Sequence, residues 1–126
     1  MRNKDILTAI TKGNQHPGFL KEIQEKRNTT PKSIVILDDD PTGTQTVYDL
    51  PVVTRWCLSV LEEEFQKSPV FFILTNSRSL QAKEANELAK TIGERLQKLS
   101  KKYNKELVVI SRGDSTLRGH YPNEVD

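Results

Sequence analysis

The chain contains one cysteine, Cys57. A lone thiol closes no internal disulfide and builds no cysteine zinc site, so a disulfide-stapled secreted scaffold is excluded and a reducing compartment is expected. Long hydrophobic runs are also missing. The longest, such as Val70 to Leu74, span about five residues, far short of a membrane-crossing helix. The first residues, Met1 to Ile6, carry no apolar core of a secretory signal, so the expected location is cytoplasmic. A strong charge of either sign is absent: the formal net charge is +2, with lysines spread along the chain. That argues against a nucleic-acid partner. No Walker loop and no Gly-x-Gly-x-x-Gly occurs, so no nucleotide-binding element is recognisable. The two histidines, His16 and His120, have no metal-ligand spacing, and no metal site is expected. There is no internal repeat and no low-complexity segment.

What remains is a soluble composition, 35% hydrophobic and 29% charged, in 126 residues. That length fits one domain with a real core. Residues 1–32 read as a helical arm: Ile6, Leu7 and Ile10 share one face, residues 13–18 form a loop, and Phe19, Leu20 and Ile23 open a second short helix. From residue 33 the pattern changes. Ile34-Val35-Ile36-Leu37, Val70-Phe71-Phe72-Ile73-Leu74 and Leu107-Val108-Val109-Ile110 are continuous β-branched or aromatic runs, typical of covered strands. Val52-Val53-Thr54 is a weaker one. Residues 57–67 look helical, with Leu58, Leu61 and Phe65 at helical spacing. A long amphipathic helix is expected from Ser79 or Leu80 to about Tyr103, through Ala85, Leu88, Ile92, Leu96 and Leu99. Strands alternating with helices predict an α/β fold: three layers, a mostly parallel sheet with helices on both faces, and here an incomplete domain over residues 33–126.

Each strong strand empties into a polar cluster. After Leu37 comes Asp38-Asp39-Asp40-Pro41-Thr42-Gly43-Thr44. After Leu74 comes Thr75-Asn76-Ser77-Arg78-Ser79, and after Ile110 comes Ser111-Arg112-Gly113-Asp114-Ser115-Thr116-Leu117-Arg118-Gly119-His120. In a parallel sheet the carboxyl ends of the strands share one edge, so the three clusters converge on one crevice. Three adjacent carboxylates need cations nearby; Arg78, Arg112 and Arg118 are candidates, and a metal or a bound ligand is another. The Pro41–Gly43 turn offers backbone amides to an anion. Ser77 or Ser79 is placed to cap the helix that follows. Arginine clamps a carboxylate through two parallel hydrogen bonds, while Asp and Ser hold hydroxyl groups. An internal Arg–Asp bridge that braces the loop is the plainer alternative, and the two are compatible. Arg112-Gly113-Asp114 spells an adhesion tripeptide, which we attribute to chance.

These residues resemble the N-terminal domain of the four-carbon acid sugar kinase family. Asp39-Asp40-Pro41-Thr42-Gly43 matches its Asp-Asp-x-Thr-Gly motif, Ser77-Arg78 its Ser-Arg segment, and Asp114 to Gly119 its Asp-Ser-Thr-Leu-Arg-Gly signature without change. The chain departs from the family in three places: Asp38 extends the acidic run, Pro41 replaces a common apolar residue, and Arg112 stands where a lysine is common. The resemblance implies ATP-dependent phosphorylation of a hydroxyl on a short acid sugar. It implies substrate contacts at Asp39, Asp40, Arg78, Arg112, Asp114, Ser115 and Arg118, with the catalytic residue unassigned. ATP and Mg²⁺ are implied as cofactors, bound mainly in a separate C-terminal nucleotide-binding domain. On this view the chain is a fragment, inactive alone, whose partner is a small sugar acid; a non-catalytic acid-sugar-binding fragment is the neighbouring reading. A competitor from another class is a haloacid-dehalogenase-like phosphatase. Asp38-x-Asp40-x-Thr42-Gly43-Thr44 resembles the first motif of those enzymes, with Asp38 as nucleophile, Asp40 as acid/base and Mg²⁺ on the phosphate. Phe72 to Asn76 resembles their second motif. Nothing in that family accounts for residues 112–119.

Overall fold

A computed structural model describes residues 18–29, 31–114, 119, 120 and 122. The expected first helix of the arm, around Ile6 to Ile10, lies outside them, as do Ser115 and Arg118. The chain divides into two compact units, Met1–Thr30 and Pro31–Asp126. Within the first, helix α1 spans Phe19–Thr29 and exposes Phe19, Leu20 and Ile23. The second holds strands β1 (Lys32–Asp38), β2 (Val52–Val53), β3 (Val70–Leu74) and β4 (Glu106–Arg112), and helices α2 (Leu58–Lys67) and α3 (Ala82–Tyr103). All strand pairings are parallel, in the order β2-β3-β1-β4. The fold is α/β, as the strand–helix alternation implied.

Alternation along each strand assigns its two faces. Val35 pairs in register with Phe71 and Val109, and Val53 with Ile73. On this face Val35, Val53, Phe71 and Ile73 meet Leu61 and Phe65 of α2 and Ile92, Leu96 and Leu99 of α3 in one buried core. The spacing of four between Leu61 and Phe65, and between Ile92 and Leu96, gives each helix a continuous apolar stripe. Both helices pack on this one face because β2→β3 and β3→β4 step the same way across the sheet, and right-handed crossovers then fall on the same side. The β1→β2 connection steps the opposite way and carries only a short 3₁₀ turn, Gly43–Thr46. The second helical layer is therefore not among the described elements of this unit. β4 lies at an edge of the described sheet, with Val108, Val109 and Ile110 exposed.

The long helix starts later than its periodicity suggested. Asn76 takes the left-handed conformation (φ 52°, ψ 28°), Ser77–Ser79 form a 3₁₀ turn, and Leu80 is extended. Gln81 is the N-cap, its backbone N–H donating to Glu84 Oε2 at 3.1 Å. The serine cap expected at Ser77 or Ser79 is not made. Ser77 Oγ instead pairs with Thr75 Oγ1 at 3.1 Å, and Ser79 Oγ donates to the Asn76 carbonyl at 2.8 Å. Asn104 ends the helix in the left-handed conformation, its N–H donating to the Ser100 carbonyl. No helix among the described residues is long and apolar enough to cross a membrane.

Candidate functional site: an acidic cleft at the strand ends

β1 and β3 are neighbours whose connections leave in opposite directions. That makes their carboxyl ends the switch point of the sheet, where open α/β folds place ligands. The polar clusters meet there. A cleft of ≈ 400 Å³ is lined by Asp38, Asp39, Asp40, Thr42, Gly43, Arg78, Arg112, Gly113 and Asp114.

The expected arginine–carboxylate pairing is largely internal. Arg78 forks onto Asp39, Nη2 donating to Oδ1 at 2.9 Å and Nε to Oδ2 at 3.3 Å, while Nη1 donates to Asp40 Oδ2 at 2.5 Å. The Arg78 backbone N–H also donates to the Asp39 carbonyl at 3.3 Å. Hydrogen bonding to Asp39 holds the guanidinium above its ordinary value. Asp39 is 3% exposed and accepts a further bond from the Asp114 N–H at 3.1 Å. It therefore ties all three strand-end loops together. Thr75 adds a second tie: its N–H and Oγ1 both donate to the Asp38 carbonyl, at 2.9 and 3.0 Å.

Asp38 is the most enclosed of the acids, at 1% exposure. Its Oδ1 accepts the Asp40 N–H at 3.3 Å. Its Oδ2 has no hydrogen-bond partner, and Arg112 Nη1 stands 3.6 Å away, an ion-pair contact beyond hydrogen-bond reach. Burial pushes this carboxyl above its ordinary 3.8. The Asp40 amide and Arg112 offset part of that, while the Asp39 and Asp40 charges add to it. Gly43 covers the carboxylate so closely that a Cβ there would sit 2.1 Å from Oδ2. Arg112 Nη1 donates to the Gly43 carbonyl. Arg112 is the last residue of β4 and the register partner of Asp38, not a loop residue beyond the strand.

The turn amides expected to meet an anion are already used. Thr42 N–H donates to Asp40 Oδ1 and Gly43 N–H to the Asp40 carbonyl, each at 3.0 Å. Asp40 turns the backbone on itself, as short acidic side chains do. Gly119 returns against the loop, where a Cβ would lie 1.8 Å from the Asp114 carbonyl oxygen. Of the sequence-derived contacts, Asp39, Asp40, Arg78, Arg112 and Asp114 come together at the cleft; Ser115 and Arg118 fall outside the described residues. Sequence reasoning gave Asp38 no part in substrate binding, and read Gly43 as a turn residue with an amide for an anion and as the end of the Asp-Asp-x-Thr-Gly motif, not as the cover over Asp38. The signal for Asp38 was present, since a buried strand carries its alternation into its last residue; nothing in the order of residues placed Gly43 over it.

A polar, charge-lined cleft at the switch point of a parallel sheet defines a small-molecule-binding α/β domain. The chain belongs to the sugar-binding N-terminal domain family, whose model matches residues 34–126, and this is the N-terminal domain of the four-carbon acid sugar kinases. Neither a search of curated proteins nor one of solved structures gave a match. A phosphatase nucleophile must reach a phosphorus atom. Asp38, which that reading requires, has its Oδ2 covered by Gly43.

Proposed function

We propose that the chain is the substrate-gripping portion of an ATP-dependent kinase, and that the cleft holds a four-carbon acid sugar as phosphoryl acceptor. The observation that carries this is the convergence of both arginines and four carboxylates from three strand ends on one cleft. Its ≈ 400 Å³ falls in the range of roughly 300–1,000 Å³ typical of small-ligand sites. Arg112, 44% exposed at its side chain, takes the carboxylate of the sugar acid. Asp40 and Asp114 accept hydrogen bonds from its hydroxyls. Arg78 keeps Asp39 and Asp40 in place. Ser115 and Arg118 complete the grip. The family implies ATP and Mg²⁺, and the described residues do not fit them: the turn amides are taken, Arg78 is paired with two of the acids, and no group of side chains among the described residues could hold a metal ion. In this proposal both cofactors belong to a C-terminal nucleotide-binding domain, and the present chain alone transfers no phosphoryl group.

Calorimetric titration with four-carbon aldonates, beside the matching polyols that lack a carboxylate, tests the reading. Heat with an aldonate and much less with its polyol is expected. A folded sample silent to every aldonate refutes it. ATP turnover that survives purification to homogeneity refutes the division of labour.

A further inference from the structure

Asp38 carries an unmet polar demand at the base of the cleft. Its Oδ2 is buried without a hydrogen bond, and the carboxylate is roofed by the Gly43 backbone. The charged or titratable groups acting on it are Arg112 from β4 and its chain neighbours Asp39 and Asp40. Arg78 is occupied by those two neighbours. The outward path from Asp38 therefore leads to Arg112. Asp38 and Arg112 end adjacent parallel strands in direct register, so their side chains rise from the same face of the sheet. One nitrogen of Arg112, Nη1, meets both the Asp38 carboxylate and the Gly43 carbonyl. Its Nε and Nη2 make no hydrogen bond among the described residues, although the side chain lines the cleft.

We propose that Asp38 is a positioning residue: it anchors the Nη1 side of Arg112 at the β1–β4 seam and so presents the Nε–Nη2 edge to the carboxylate of the bound acid. The proposal rests on the acid-sugar reading. An unanchored arginine must lose rotamer freedom when the ligand arrives, and an anchored one has lost it already. The fork geometry of guanidinium makes this edge the one that accepts a carboxylate through two bonds. Asp38 does not touch the ligand.

The test is aldonate affinity of the full chain by calorimetry at neutral pH, for wild type, Asp38→Asn, Arg112→Ala and the double variant. Asp38→Asn is expected to weaken aldonate binding roughly tenfold at neutral pH. It should leave the affinity for the matching polyol unchanged, and have no further effect once Arg112 is Ala. If Asp38→Asn does not fold, Asp38→Ser, which also removes the charge, takes its place with the same expectations. Equal or tighter aldonate binding by Asp38→Asn overturns the proposal, since removing a negative charge then matters more than losing the anchor. A further loss of aldonate affinity from Asp38→Asn in the Arg112→Ala background overturns it too. Wild type that binds no aldonate overturns the acid-sugar reading as well as this proposal; wild type and Arg112→Ala that differ as expected, with Asp38→Asn unaffected, overturn this proposal alone.

Discussion

Gly43→Ala puts the Asp38–Gly43 contact to a direct test. A Cβ at residue 43 would lie 2.1 Å from Asp38 Oδ2, 2.6 Å from Oδ1 and 2.7 Å from Cγ, against ordinary contacts of 3.4 Å and beyond. The entire carboxylate faces the new methyl group, so rotating it gives no relief. Either the 3₁₀ turn lifts by about 1 Å or the carboxylate leaves its place beside the Asp40 N–H. Overpacking of this kind costs about 1–3 kcal/mol, which lowers Tm by something on the order of 10 °C in a domain this size. Urea unfolding followed by far-UV circular dichroism and by Trp56 fluorescence gives the difference. Trp56 is a suitable probe because its Nε1–H bonds the Leu74 carbonyl at 3.3 Å, tying it to the end of β3. The decisive measurement is the Asp38→Ala background. With the carboxylate gone the methyl group has room, so Gly43→Ala should cost less than half as much there. A loss within about 0.5 kcal/mol of wild type refutes the contact. So does an equal loss in both backgrounds.

Asp38 and the end of α3 each carry a further expected outcome. The folded Asp38 carboxyl lies above 3.8, so the native state binds its proton more tightly than the unfolded chain. Asp38 therefore takes stability away as pH rises from 3.8 through its folded value, and the loss is complete above it. Urea midpoints from pH 3 to 7 should show Asp38→Asn gaining on wild type across that window and then levelling off; a shrinking gap would mean that Arg112 more than offsets the burial. At the end of α3, Asn104 holds φ 49°, ψ 43°. Asn104→Gly removes the Cβ penalty there and should stabilise by about 0.5 kcal/mol in the same assay, whereas Asn104→Val should destabilise.

The parts of the fold legible in the sequence were those with uninterrupted periodicity. Ile34–Leu37 and Val70–Leu74 announced covered strands because both faces of a central strand want apolar groups. Leu61, Phe65, Ile92 and Leu96 announced helices because their spacing aligns them on one side. Convergence of the three polar clusters followed from parallel topology. Partner choice within the cleft did not, because it depends on register. Nothing in the order of residues says that Asp38 sits opposite Arg112 instead of opposite Arg78. The sequence also hid the late start of α3: serines near a helix invite a capping role, and only the left-handed turn at Asn76 redirects them to Thr75 and to the Asn76 carbonyl.

β1 is at once a wall of the core and the floor of the cleft. Val35 faces the helices, while Asp38, three residues on, faces Arg112. A slip of one residue in its pairing would invert both surfaces together. Insertions or deletions inside Lys32–Asp38 are therefore closed to natural variation and to protein engineering alike. Preference for one ligand over another can drift only by exchanging side chains at the strand's last position and in the loops beyond it. In this scaffold, the strand that makes the domain stable also fixes the origin from which the binding site is measured.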